Sequence, residues 1–251
     1  MQRLKELPCR LNKIFLLVLF SISVAEISGV EKIEAQNLLP IYDGRVESAS
    51  PVSPGADEGI IKRNAIPKAR QIWKDHEGCQ EDFSIIDAAK GSFTKPNAVQ
   101  KAYLYRYCET GHNFANNGIV IMENGQIAAH VVYEGGTDNA IGALPDINGN
   151  GLSELIISNG STNQGITVSV VIPIELSSNG VKKFGIADIY EDDCGAKENC
   201  KATAYRLLAK TGPSPIFYSE TYRMRGKKWL KLGDAKQVSL RADETEYQLV
   251  K

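Results

Sequence analysis

The chain has 251 residues, 24% of them charged and 43% hydrophobic, a balance that suits a globular protein with a buried core filling one to two domains. That composition excludes collagen-like, coiled-coil and wholly disordered chains. The formal net charge of -1 leaves no basic excess, so nucleic acid is not an expected partner.

At the N-terminus Arg3, Lys5, Arg10 and Lys13 stand against a single Glu6, and an uncharged stretch then runs from Ile14 to Ala25 through IFLLVLF. This is the layout of a secretory signal, with the small residues Ser23 and Ala25 placed for cleavage after Ala25. Twelve helical residues span about 18 Å, short of the ~30 Å hydrocarbon core, so an uncleaved anchor is the weaker alternative and no stable membrane insertion is expected after cleavage. Cleavage removes four of the 29 basic and one of the 30 acidic residues, leaving 25 against 29 and a net charge of -4. The expected compartment is secreted or periplasmic. Residues 1–25 are thus read as a signal peptide, 26–59 as a flexible linker and 60–251 as a β-rich domain. The linker reading rests on Pro40, Pro51 and Pro54 with few large apolar residues after Tyr42. From Ile60 to His76, Ile61, Ala65, Ala69, Ile72 and Trp73 recur at helical spacing, predicting one short helix that Pro67 must start or kink.

Export leaves Cys79, Cys108, Cys194 and Cys200, an even number that favours disulfides in an oxidising compartment. Of the three connectivities, 79 with 108 and 194 with 200 are preferred because each pair is close in the chain. A zinc site from His76, Cys79, Cys108 and His112 has permissible spacing, but disulfide formation would remove its thiolates. There is no Gly-x-Ser-x-Gly elbow, nor a Ser, His and Asp arrangement with supporting context.

From about residue 90 the chain reads as nearly all β. KAYLYRY, GIVIMENGQIAAHVVY, LSELIIS, ITVSVVIPIEL, KATAYRLL and SPIFYSETYRMRGKKWLKL are rich in β-branched and aromatic residues. Asn-Gly, the strongest short hairpin signal, begins at Asn117, Asn124, Asn148, Asn150, Asn159 and Asn179. Strands opening at Ala102, Leu155 and Ala204 lie about 50 residues apart, and each is followed by a hairpin. The expected fold is therefore all-β: about three repeated hairpin or blade-like units, forming a partial propeller or a sandwich, with a short N-terminal helix.

One loop carries specific chemistry. In Asp146-Ile147-Asn148-Gly149-Asn150-Gly151-Leu152-Ser153-Glu154, side-chain oxygens stand at positions one, three, five and nine, with glycine at six where a sharp turn needs positive φ. Hard oxygen donors at this spacing suit calcium: Asp146, Asn148, Asn150 and Glu154 by side chain, Leu152 by its carbonyl, and water for the rest. The first half is similar to an EF-hand loop, but position twelve is Ile157 and no helical pattern flanks it. With the following Leu155-Ile156-Ile157, the segment closely resembles the FG-GAP/VCBS-type repeat, the calcium-binding hairpin loop of integrin-α-like β-propellers. The resemblance carries over Asp146, Asn148, Asn150 and Glu154 as ligands and implies an extracellular, usually non-enzymatic β module. Asn150 and Glu154 stand where the family prefers Asp. With two formal carboxylates the affinity expected is roughly 10⁻⁴ to 10⁻³ M. A second segment, Gly91 to Leu104, begins its loop at Ser92, 54 residues before Asp146, but has no carboxylate and carries Lys95. It reads as a degenerate, metal-free unit. The acidic run Asp188, Glu191, Asp192 and Asp193 reads as a solvated hairpin tip in preference to a second cation site.

The expected function is an exported calcium-stabilised, non-catalytic β module that binds an extracellular protein or glycan or has a structural role. Two alternatives stay open. A secreted hydrolase with structural calcium would bring His112, Glu109 and Asp138 together in a cleft, and a protein inhibitor would expose Tyr103, Tyr105, Tyr107 and Tyr133.

Overall fold

The computed structural model describes residues 38–46, 53–76, 78–111, 113–177 and 180–251. The signal-peptide reading and Cys9 lie outside them. A compact unit spans Asn37–Lys251. Its strands are β1 (Leu39–Asp43), β2 (Ser84–Gly91), β3 (Gln100–Gly111), β4 (Phe114–Glu123), β5 (Gln126–Gly136), β6 (Asp138–Ala143), β7 (Leu155–Asn163), β8 (Ile166–Ser177), β9 (Gly180–Lys183), β10 (Ala187–Asp192), β11 (Ala202–Lys210), β12 (Ile216–Arg225), β13 (Lys228–Lys231), β14 (Lys236–Val238) and β15 (Gln248–Leu249). Two short helices, α1 (Ala56–Asn64) and α2 (Ile66–Trp73), meet at Ala65, so the expected single helix is bent, with Pro67 in the first turn of its second half.

All strand pairing is antiparallel, in a five-stranded and a ten-stranded sheet. In the smaller sheet β2, β3, β4 and β5 pair in chain order and β15 adds to the edge of β5. In the larger, β6 to β9 pair in chain order, and so do β10 to β13. The two runs merge because β8 is long: its second half pairs with β9 and its first half with β10 along the same edge. The expectation of separate repeated units thus meets a larger sheet that is continuous across the last two runs.

Alternation of side chains decides how the layers stack. On β3, Ala102 and Leu104 face the second sheet while Tyr103, Tyr105 and Tyr107 face the helices; Ile119 and Ile121 alternate in the same way with Val120 and Met122 on β4. On β7, Leu155 and Ile157 meet the smaller sheet, whereas Ile156 turns the other way, toward Ile147, Val171, Leu207 and Phe217. Both faces of much of β3 and β4, and of the first three residues of β7, are therefore buried, which explains the unbroken apolar stretches there.

The segment expected to be a flexible tether contributes structure. Leu39–Asp43 pairs with Ala209 to Arg206 of β11, with Ile41 buried in the core shared by β7, β8 and β11. The edge of β11 is free there because β10 covers only Ala202 to Ala204. Ala56 to Gly59, also assigned to the tether, form the first turn of α1.

Asn-Gly serves two purposes. Asn124-Gly125 is the two-residue turn between β4 and β5, with φ of 50° and 75°, as expected. Asn117-Gly118 and Asn159-Gly160 instead lie inside β4 and β7. At Gly118 a Cβ would come within 2.2 Å of the Tyr105 ring, so this glycine makes room for a buried aromatic side chain.

Candidate metal centre

The loop between β6 and β7 is anchored at both ends. Leu144 N–H donates to the Glu154 carbonyl at 2.8 Å, Gly212 N–H donates to the Ile147 carbonyl at 2.9 Å, and the Ile147 side chain is fully buried. Between these anchors Asp146 organises the turn: Oδ1 accepts from the backbone N–H of Gly149 (2.6 Å) and Asn150 (3.1 Å), and Oδ2 from that of Gly151 (2.7 Å). Gly149 and Gly151 have φ of 80° and 87°, as a loop this tight requires. Asn148 Oδ1 and Asn150 Oδ1 accept from the N–H groups of Asn150 and Leu152.

Glu154 is fully buried. Its Oε2 accepts the Ile147 N–H at 2.9 Å, while its Oε1 has no hydrogen-bond partner. Burial pushes its carboxyl up to about 7; the amides of Ile147 and of Glu154 itself oppose that rise, and the charges of Asp146 and Glu175 add to it.

Glu175 on β8 is a residue that reading the loop in isolation missed. It is 6% exposed, and its Oε2 accepts the side-chain amides of both Asn148 and, at 2.6 Å, Asn150. Its partner on β7 side of the hairpin follows from register: Leu155 pairs with Ile174, so the next step outward sets Glu154 opposite Glu175. The structure therefore brings Asp146, Asn148, Asn150 and Glu154 into one loop with Leu152 between the last two, and adds a third acidic group from a neighbouring strand. Among the described residues no three His, Cys, Asp or Glu side chains form a metal-holding group by themselves. The acidic groups are linked through the two amides, so any cation here would draw on amide and carbonyl oxygens as well.

The donor set is all oxygen, and a buried carboxylate oxygen lacks a partner within it; both features fit a hard divalent cation.

Other candidate groups are placed elsewhere. Cys79 pairs with Cys108 and Cys194 with Cys200, the connectivity preferred from spacing, which removes the thiolates of the zinc alternative. His76 Nδ1 instead lies 3.2 Å from Asn116 Nδ2, and His112 falls outside the described residues. Glu109 is paired with Arg106 at 2.8 Å. Tyr103, Tyr105, Tyr107 and Tyr133 are all buried, so the exposed aromatic surface imagined for an inhibitor is not built from them. In the acidic run, Asp188 pairs with Arg241, Asp192 accepts from Tyr190 Oη and Asp193 pairs with Lys197. Asp188, Glu191 and Asp192 sit along β10 and not at a hairpin tip. Asn159, the first residue of an Asn-Gly-Ser sequon, is half-buried in β7 and donates to Asn139 Oδ1 at 2.7 Å.

A cleft of about 1760 Å³ opens where the end of β5 diverges from β7 and β8, with Trp73, Tyr133, Asn139, Asn159, Ser161 and Tyr247 among its lining residues. The hydroxyls of Tyr133 and Tyr247 have no hydrogen-bond partner.

Comparison of the chain with protein-family models, with curated proteins and with solved structures gives no match. The resemblance to the FG-GAP/VCBS loop therefore stands on the residues of the loop. Two disulfides are formed, and among the described residues no helix is long and apolar enough to cross a membrane.

Proposed function

We propose that this chain is an exported, calcium-stabilised, non-catalytic β module that binds an extracellular protein or glycan. The observation that carries the reading is Glu154, a fully buried carboxylate with one unpartnered oxygen in an oxygen-rich loop. A carboxylate in that position costs stability unless its charge is met. Asp146, Asn148, Asn150 and Glu154 would hold the ion with the Leu152 carbonyl, and Glu175 would orient the two amides from outside the loop. Calcium, when bound, supplies charge neutralisation and a tie between the loop and β8.

The chain's own residues do the rest. Asp146 preforms the turn through three backbone N–H groups, and Ile147 locks it into the core. The three four-strand runs beginning at β2, β6 and β10 are read as copies of one FG-GAP/VCBS-like unit. Export is supported by the charged and apolar N-terminal pattern and by the two disulfides. The cleft beside β5, with aromatic and amide groups on its walls, is the surface offered to the partner.

The test is thermal melting of the disulfide-bonded full chain in millimolar calcium and in chelator, beside Asp146→Ala. At ten times Kd, calcium adds about 1.4 kcal/mol to the folded state, a rise of a few degrees for a domain of this size. The parent is expected to show that rise and the variant to lose it. A parent that melts identically in calcium and chelator overturns the reading.

A further inference from the structure

The loop joining β2 to β3 and the loop joining β6 to β7 share one buried side-chain-to-backbone bond at the same spacing. In the first, Gln100 Oε1 accepts the N–H of Phe93, seven residues earlier, at 2.8 Å; in the second, Glu154 Oε2 accepts the N–H of Ile147, also seven residues earlier, at 2.9 Å. Gln100 and Glu154 are both fully buried; Gln100 is the first residue of β3, and Glu154 immediately precedes β7. Lys101 pairs with Met122 just as Leu155 pairs with Ile174, so Gln100 stands opposite Glu123 as Glu154 stands opposite Glu175. The loops also touch: Ser92 N–H donates to Ser153 Oγ at 3.1 Å, and Ser153 N–H to the Ser92 carbonyl at 2.9 Å.

At this buried position the decisive difference is one atom, the side-chain nitrogen of Gln100 against the second oxygen of Glu154. Gln100 Nε2 donates to Thr94 Oγ1 at 2.7 Å and to Glu123 Oε2 at 2.9 Å, closing the first loop with a side-chain amide. The corresponding second atom of Glu154 is an oxygen, which can donate to nothing when ionised, and it has no partner. Thr94 corresponds to Asn148 and Glu123 to Glu175. What Gln100 closes with an N–H₂ group, Glu154 leaves open.

We infer that the β6–β7 loop is closed by a cation held between Glu154 Oε1 and its acceptor neighbours, in the place that the Gln100 amide fills in the β2–β3 loop. The inference rests on the calcium reading above and deepens it: Glu154 is the residue that makes the loop metal-dependent, and a single exchange of oxygen for nitrogen makes it metal-free. In the third run the connection between β10 and β11 is spanned by the Cys194–Cys200 disulfide, and its side-chain bond to the backbone runs the other way, Asp193 Oδ1 at the start of the loop accepting the N–H of Lys201 at 2.6 Å. The three connections are thus tied by an amide, a cation and a disulfide.

The experiment uses the full chain with both disulfides formed, as parent, Glu154→Gln and Glu154→Met. Each is melted in millimolar calcium chloride and in chelator and titrated with calcium chloride by calorimetry. Glu154→Gln is expected to lose calcium affinity by about tenfold or more and to melt at one temperature in both conditions, several degrees above the parent in chelator. Glu154→Met, which removes the charge without supplying a donor, is expected to be calcium-independent but to melt below Glu154→Gln. If Glu154→Gln keeps the parent's calcium affinity, melts no higher than the parent in chelator, or melts with Glu154→Met, the inference is overturned while the calcium reading stands. A parent that neither binds calcium nor responds to chelator overturns both.

Discussion

Beneath the helices lies a buried polar pair whose energetics belong to two side chains. Tyr105 is fully buried, and its hydroxyl lies 2.7 Å from His130 Nε2, while His130 Nδ1 has no partner. Burial, aided by the charge of Lys68, lowers the imidazole to about 4, so the folded protein holds it neutral where an unfolded chain would take up a proton near 6.5. The unfolded state then binds more protons between those two values, and stability falls as pH falls through the interval. The contribution present above pH 6.5 and lost by pH 4 is about 3 kcal/mol. Melting between pH 7.5 and 4.5 should show a drop in midpoint that is distinctly smaller in His130→Gln, which keeps a polar group beside Tyr105 but cannot titrate. An equal drop in both proteins would place the acid sensitivity elsewhere.

At the scale of a single element, β1 illustrates how five residues protect an edge. Its pairing covers Arg206 to Ala209 of β11, and Ile41 is buried among Leu207, Ala209 and Phe217, with Leu39 packed against the same core. Without β1, that part of β11 offers unpaired N–H and C=O groups beside exposed apolar surface, the arrangement that promotes strand addition between chains. Two outcomes follow. Ile41→Ala should cost about 2–5 kcal/mol, measured as a loss in denaturant midpoint. Removal of residues 1–46 should in addition produce concentration-dependent association in size-exclusion chromatography, whereas a chain beginning at residue 26 should not. The loop between β6 and β7 is the other element whose meaning depends on a neighbour. Its turn chemistry is local to Asp146 and the two glycines, but its charge balance depends on Glu175, 21 residues beyond Glu154.

Across the compact unit as a whole, the C-terminal segment holds the two sheets to one another. Arg241 bridges to Ile186 beside the larger sheet, and Lys183 Nζ donates to the carbonyls of Asp243 (2.5 Å) and Thr245 (3.0 Å). The chain then crosses to the smaller sheet, where Tyr247 packs on Tyr133 with ring centroids 5.1 Å apart and β15 extends the edge of β5. Tyr247 and Leu249 close the end of the core between the sheets. Ending the chain after Leu240 should therefore uncover that core, lowering the midpoint and broadening the unfolding transition, with dye binding to apolar surface in the native baseline. A truncated protein with the parent's midpoint and cooperativity would show that the sheets hold together without this strap.

The sequence by itself determined what short-range patterns can encode: nearly all-β character, the buried helix face of Ile61, Ala65, Ala69 and Trp73, the turn at Asn124-Gly125, and the spacing of oxygen donors from Asp146 to Glu154; for the disulfides it gave a preference that the structure settled. Each depends on residues close in the chain or on a period of 2 or 3.6. The tertiary structure decided whatever depends on residues brought together from afar. Pro40 and the polar residues after Tyr42 suggested a tether, yet a free stretch of β11 recruits Leu39–Asp43 as a strand. Asn117-Gly118 carries a turn signal, yet the volume of Tyr105 makes it a gap inside β4. Glu175 and Glu123 look like ordinary strand residues until antiparallel register sets them opposite Glu154 and Gln100. Register is a property of two strands, so the acidic partner of the loop, and its counterpart Glu123 opposite the Gln100 amide in the neighbouring run, become visible only after the strands are paired.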